Sequence, residues 1–362
     1  MAGLAHAAGQ VWPAFALVTG LLLVGVVAEQ DGLFAAAGRG LARAPGGTRA
    51  VYVVALSLVA VVTAILNLDT SVFFLTPMLL HLARARRVDE APFLYGAVFM
   101  SNAASLFLPG SNLTNLIVLH GEHVSGATFF ARTWPAALTA TVSTAVLLLA
   151  LFRRELAQES SPQQEQSSPR LRVGLVAVLA SSVLVLVLSA PALPVLAVGV
   201  AAVIADRAPR RRITAAVDVR VLAGLFALAV LLGGLGRWWH GPASLLHSLD
   251  DWETAGAGAL ASLVVNNLPA SVLLTPTPPV HGRSLLLGLN LGPNLAITGS
   301  LSAFLWLRVA RSLGARPSAL RYTQCGLVLV PLSIAASIAA LHLVSAVGAP
   351  EKLGYRPVSS IR

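Results

Sequence analysis

Residues 66–71, Leu66-Asn67-Leu68-Asp69-Thr70-Ser71, place four polar side chains at the centre of the apolar run from Val51 to Ala83. A membrane-crossing helix needs about 20 apolar residues, so this run is too long for one span and too short for two. Basic clusters bracket it: Arg39, Arg43 and Arg49 before, Arg84, Arg86 and Arg87 after. The positive-inside rule puts both clusters on the cytoplasmic face. The reading that satisfies both constraints is a re-entrant hairpin entering and leaving from the inside, with its tip at Asn67–Ser71.

The composition agrees with a membrane setting. The 362 residues are 56% apolar and only 11% charged, with a mean hydropathy of +0.78. Soluble domains carry roughly 25% charged residues. A soluble enzyme, a secreted disulfide scaffold and a disordered chain are therefore excluded. The net charge of +10 raises nucleic acid as a partner, since basic proteins neutralise phosphates. The arginines sit between apolar runs, where topology signals belong, so no nucleic-acid partner is expected. Cys325 is the only cysteine, so neither an intrachain disulfide nor a thiolate metal cluster can form. No basic region precedes Val11–Ala28, which argues against a cleaved signal peptide.

Applied along the chain, the same rule gives eight full spans and two hairpins, with both termini outside. The second hairpin, 252–281, enters from outside with its tip at Asn266–Ser271. Only Arg132, Arg237, Arg283, Lys352, Arg356 and Arg362 of the 25 basic residues then fall outside. The first half covers 1–152, with one span, a hairpin at 50–83, a broken span at 92–119 and a span at 127–152. A polar, Gln/Ser/Pro-rich stretch at 153–171 reads as a flexible cytoplasmic linker. The second half covers 172–347, with its hairpin at 252–281 and a broken span at 284–307, and a tail follows at 348–362. The two spans at 172–206 have no counterpart in the first half.

The halves resemble each other. Asn67-Leu68-Asp69-Thr70-Ser71-Val72 is echoed 200 residues later by Asn267-Leu268-Pro269-Ala270-Ser271-Val272, and each run soon reaches Thr-Pro. Asn102 precedes Gly110-Ser111, as Asn290 precedes Gly299-Ser300. The expected fold is thus an all-α polytopic membrane protein. It has two inverted-topology repeats, each with a re-entrant hairpin and a broken transmembrane helix. Paired broken helices mark secondary transporters, whose sites lie at the midplane between repeats. Interrupted backbone survives at that depth only where it is buried in protein or lines a cavity. Half-helix N-termini and freed carbonyls there can hold anions and cations.

The candidate binding residues follow. Asp69 is the one carboxylate deep in a predicted membrane segment; it can carry a proton or bind a cation, and capping the second hairpin helix is the plainer alternative. Asn67 and Thr70 flank it. Asn266 and Asn267 stand at the second tip before Pro269, where hairpin capping is again the alternative. Ser111, Asn112, Thr114 and Asn115 crowd the first break, and such polar groups need a ligand, water or each other. Asn290, Asn294, Thr298, Gly299 and Ser300 form the matching break, with Asn102 and Ser105 as weaker candidates. His81, His120, His123, His240, His247 and His281 all fall near membrane interfaces and read as surface groups. Trp134, Trp238, Trp239 and Trp252 read as outer-face anchors. Glu29 and Asp31 read as solvated caps at the cytoplasmic end of the first span.

These motifs resemble the ion transporter superfamily, and within it the arsenite efflux permeases. The stretch 287–309, LGLNLGPNLAITGSLSAFLWLRV, is similar to the family's D-L-G-P-K…P-I-G-S-L segment. The segments 264–274, 104–117 and 68–77 resemble its M-N-N-M-P, S-N-L-x-N and N-D-G…L-T-P motifs in order. The resemblance implies a two-repeat scaffold and proton-coupled export of arsenite or antimonite. By position it carries over to Asp69, Ser111, Asn112, Asn115, Asn266, Asn267, Gly299 and Ser300. The chain departs where the family's Asn before the hairpin Asp is Leu68, and where its Asp–Lys pair becomes Asn290 and Asn294.

The expected activity is secondary transport rather than catalysis, in the inner membrane of a bacterium. The substrate is a small oxyacid or an anion, driven by a proton or sodium gradient, with no bound cofactor and no metal. A sodium-coupled anion or dicarboxylate permease of the same superfamily is the alternative. A cytoplasmic ATPase subunit enters by family analogy alone, and a homodimer stays open as an assembly. Paired channel hairpins and an intramembrane hydrolase fit less well, because Asp69 stands where the first needs Pro and without the partner the second needs.

Overall fold

The computed structural model describes residues 2–43, 45–119, 124–157, 173–188, 190–239 and 241–346, and every regular element among them is helical. Most of the expected linker (158–171), the tail 348–362, His120, His123 and His240 lie outside the described residues.

The first half opens with α1 (Ala2–Gln30) and the short amphipathic α2 (Leu33–Arg43). Next come α3 (Thr48–Ile65) and α4 (Leu68–Ala85), parted at Leu66-Asn67. The break is local chemistry: the Asn67 side chain accepts the Thr70 N–H at 2.6 Å, which caps α4 and starts it afresh. Then α5 (Ala91–Ala104) stops short of Pro109, a 3-10 turn covers Pro109–Ser111, and α6 (Leu113–Val118) resumes under an Asn112 cap. The long α7 (Gly126–Leu151) follows.

Next come α8 (Val173–Val187), α9 (Ala192–Ala205), the arginine-rich α10 (Arg210–Ala216), α11 (Val219–Trp238) and α12 (Gly241–Ser248). The element order of α3–α7 then returns. It runs α13 (Asp251–Val265), α14 (Asn267–Leu274), α15 (Gly282–Leu291), two 3-10 turns (Gly292–Leu295, Ile297–Gly299), α16 (Leu301–Ser312) and α17 (Ala319–Ala346). Asn266, at φ 78°, sits where an L-residue is least at ease, a conformation Asn tolerates better than most.

By length and composition four described helices can cross a membrane: Leu4–Gln30, Thr48–Ile65, Gly126–Leu151 and Ala319–Val344. The pair Leu222–Trp238 and Gly241–Ser248, bent by 69°, passes the same test when taken together, as a broken span or a re-entrant loop. The bend falls before Gly241-Pro242, where Pro cannot continue a helix from the preceding turn. The expected spans at 172–189 and 192–206 are helices of only 15 and 14 residues. At 1.5 Å per residue these reach about 22 Å, short of the roughly 30 Å hydrocarbon core.

Helix α1 is the buried spine, packed on α8, α9 and α11. Its contact with α9 is backbone to backbone: a Cβ on Gly20 would lie 2.7 Å from Leu196 Cα, and one on Gly199 2.5 Å from Gly20 O. Small residues permit that approach in apolar surroundings, where packing rather than water release drives association. Helices α7 and α17 pack on each other, and Ser143 Oγ donates to Ser333 Oγ at 3.1 Å. Val146, Val183, Ile204 and Leu327 are all more than half exposed, as lipid-facing side chains must be. A buried aromatic cluster (Tyr95, Phe99, Trp306, Tyr322) binds α5, α16 and α17. Within it Trp306 donates to Leu94 O at 2.8 Å and Tyr322 to Pro293 O at 3.1 Å, which fixes the broken segment before α16.

Candidate functional site

The two broken helices meet, and amides join them. A helix that stops leaves carbonyls without partners, and in an apolar interior each must find a donor. Asn115 supplies two: its Nδ2 donates to Ser105 O at 2.7 Å and Leu108 O at 3.1 Å, closing the gap between α5 and α6. Its own Oδ1 accepts from Asn290 Nδ2 at 2.9 Å, across to α15. Asn290 Oδ1 in turn accepts from Asn112 Nδ2 at 2.6 Å and Ser105 Oγ at 2.7 Å, while its Nδ2 also reaches Leu286 O. Asn102 Nδ2 donates to Asn294 Oδ1 at 2.7 Å. All six side chains are buried. Most of the polar groups crowding the two breaks thus answer each other, while Asn102 Oδ1 and Thr114 Oγ1 have no hydrogen-bond partner among the described residues.

The helix ends next to these breaks are tied to them. Ser111 Oγ donates to Ala64 O at the end of α3. Asn266 Nδ2, between α13 and α14, donates to Thr298 O at 3.1 Å. Asn266 also accepts the Leu268 N–H as the cap of α14, so capping and tethering fall to one side chain. Asn267 is buried one residue on. Ser300 caps α16 by accepting from Ala303 N, and a Cβ on Gly299 would lie 2.7 Å from Pro293 Cα. Thr298 is exposed and contributes its carbonyl only.

Asp69 is half-buried in the first turn of α4 and accepts a hydrogen bond from Ser302 Oγ at 2.6 Å. The capping alternative for this residue fails, because Asn67 performs that task. Asp69 instead bridges the first turn of α4 to the first turn of α16. Asn67 Nδ2, Thr70 Oγ1 and, in α6, Thr114 Oγ1 are buried without a hydrogen-bond partner among the described residues. Buried polar atoms of this kind are rare. The sequence singled out all of these positions except Ser302, which looks like any serine in an apolar helix.

Two further groups differ from their sequence reading. Asp31 is a cap, as expected, but of α8: its Oδ2 accepts from Gly174 N at 2.6 Å. His281 is a bonded group rather than a loose surface one. Its Nδ1 lies 3.0 Å from Asp251 Oδ1, His342 Nε2 lies 3.0 Å from Asp251 Oδ2, and Ser284 donates to the same carboxylate. This latch ties the starts of α13 and α15 to the end of α17. Burial pushes the Asp251 carboxyl up, but the hydrogen bonds from Ser284 and His342 and the two imidazoles outweigh it and hold it below its ordinary value. A lowered carboxylate stabilises the fold above its unfolded value and stops doing so as pH falls through the folded one. Asp251→Asn is therefore expected to lower the thermal midpoint in detergent at neutral pH, and the gap should close below about pH 4. The side chain is 33% exposed, so the contribution is of order 1 kcal/mol. Equal midpoints at neutral pH would remove the latch from the account.

Interrupted helices meeting around buried amides, in a bundle with lipid-facing apolar helices, fit a multi-pass membrane transporter. The comparisons with known proteins narrow the class. A family model described as citrate transporter, CitMHS, matches residues 3–278, and the chain belongs to that family. The chain is also similar to the arsenical pump membrane protein of Escherichia coli K12, 26% identical over 374 residues covering 92% of this chain and 86% of that one. A 46 kDa membrane protein of Mycobacterium leprae is 24% identical over 371 residues, with 91% and 86% covered. Among solved structures, the YdaH transporter of Alcanivorax borkumensis shares the fold, with a TM-score of 0.59 at 14% identity over 95% of this chain and 87% of that one.

Proposed function

We propose that the chain is a proton-coupled efflux permease for a small neutral oxyacid, arsenous acid or its antimony counterpart. One observation carries the reading: the crossing is built from amides and hydroxyls, and the single acid beside it is Asp69, paired only with a hydroxyl. Arsenous acid is uncharged at neutral pH and presents hydroxyls, so neutral donors and acceptors suffice to hold it. An ionisable group free of a counter-ion can then take up and release the proton that drives export. The similarity to arsenical pump membrane proteins supports the substrate.

A sodium-coupled permease for an organic anion is the second reading. The description of the matched family as citrate transporters favours it, as do the unpartnered hydroxyls of Thr70 and Thr114, since hard cations take oxygen ligands. Uptake into everted vesicles separates the two. An acid interior should drive accumulation of arsenite without sodium. Sodium-dependent citrate uptake, with no arsenite accumulation, would replace the first reading by the second.

A further inference from the structure

A cavity of about 530 Å³ opens between α1, α4, α10 and α16. Its walls share a geometry with Asp69. Phe73 and Pro77 line it from α4, and steps of four residues put both on the face that carries Asp69. Leu305, Val309 and Ser312 line it from α16, and steps of three and four put them on the face that carries Ser302. Both walls therefore run back to the Asp69–Ser302 hydrogen bond, one helical turn or about 5 Å deeper.

The rim is built from four charges, Glu29, Arg212, Asp218 and Arg308. Arg212 lies within electrostatic reach of Glu29, and Arg308 Nη1 stands 4.0 Å from Asp218 Oδ2. None of the four belongs to the crossing. Two acids balance two arginines, so the rim neither gathers nor repels ions of one sign. The arginines ending α4 and filling α10 put this side of the protein in the cytoplasm. At about 30 Å³ per water, the cavity has room for a small solute with part of its hydration shell.

We propose that this cavity is the cytoplasmic access route by which solute and proton reach Asp69. The proton's part of the route rests on the proposed coupling role of Asp69 and the solute's part on the transporter class; the balanced rim suits a neutral solute, and that detail depends on the oxyacid reading.

The single cysteine makes a direct test practical, because Cys325 is buried at 6% exposure. In a Cys325→Ala background, Leu305→Cys and Ser312→Cys are treated with a membrane-impermeant thiosulfonate, in everted and in right-side-out vesicles. Both should react at least about tenfold faster in everted vesicles, and modification of the Leu305→Cys variant should slow uptake of whichever solute is carried by about tenfold or more. Without any cysteine chemistry, Val309→Trp in the otherwise intact chain should block uptake while the protein still reaches the membrane. Labelling needs no substrate, so a cavity that reacts as expected in a protein that carries no arsenite keeps the route and removes the oxyacid. Reaction of Ser312→Cys alone would make the cavity a surface groove and overturn the route. So would reaction from outside only, or undiminished uptake after Leu305→Cys is modified or with Val309→Trp.

Discussion

Asp69→Asn is expected to reduce gradient-driven transport to roughly 1% or less, a penalty of about 2.7 kcal/mol on the coupled step, without loss of protein from the membrane. The asparagine oxygen can still accept from Ser302, so the bridge from α4 to α16 survives. Asn67 still caps the helix. What disappears is the ability to bind and release a proton. Ser302→Ala gives the complement, because it keeps the acid and removes its one hydrogen-bond donor. That variant should retain transport and shift the pH at which it is half-maximal. Undiminished accumulation by Asp69→Asn under an acid-interior gradient would remove Asp69 from coupling, and the proton reading with it.

The second large effect is on assembly. Asn290→Ala leaves the Asn112 amide and the Asn115 oxygen without partners in a dry interior. At about 1–3 kcal/mol for each buried group, moderated because membrane-embedded chains find substitute partners when unfolded, the cost is roughly 2–4 kcal/mol. That is a large share of the 5–15 kcal/mol that holds an ordinary protein folded. The variant should accumulate poorly and melt early in detergent. Asn294→Ala breaks only the bond from Asn102 and should cost about half as much. If the two variants melt alike, Asn290 is not the hub that its four hydrogen bonds make it.

The breaks were legible in the sequence and the crossing was not, for a physical reason. Asn67, Asn112, Asn266 and Ser300 cap helices through N–H groups two or three residues away, so each stop is written where it occurs. The bonds of Asn290 to Asn112 and Asn115 span 178 and 175 residues. A single chain records that both ends are polar, not that they meet. The same holds for Ser302, 233 residues from Asp69, and for His342, 91 residues from Asp251.

The amide crossing has a consequence for how the protein feels the membrane potential. Moving one elementary charge through 100 mV involves about 2.3 kcal/mol of electrical work. Asn102, Asn112, Asn115, Asn290 and Asn294 bind one another as dipoles with no formal charge. The crossing can therefore shift in the field without such work, however far it travels. Asp69, bonded to Ser302 at the start of α16, feels the voltage only while ionised. Once it holds a proton, the whole centre is electrically silent, and with a neutral solute bound the potential does no work on either.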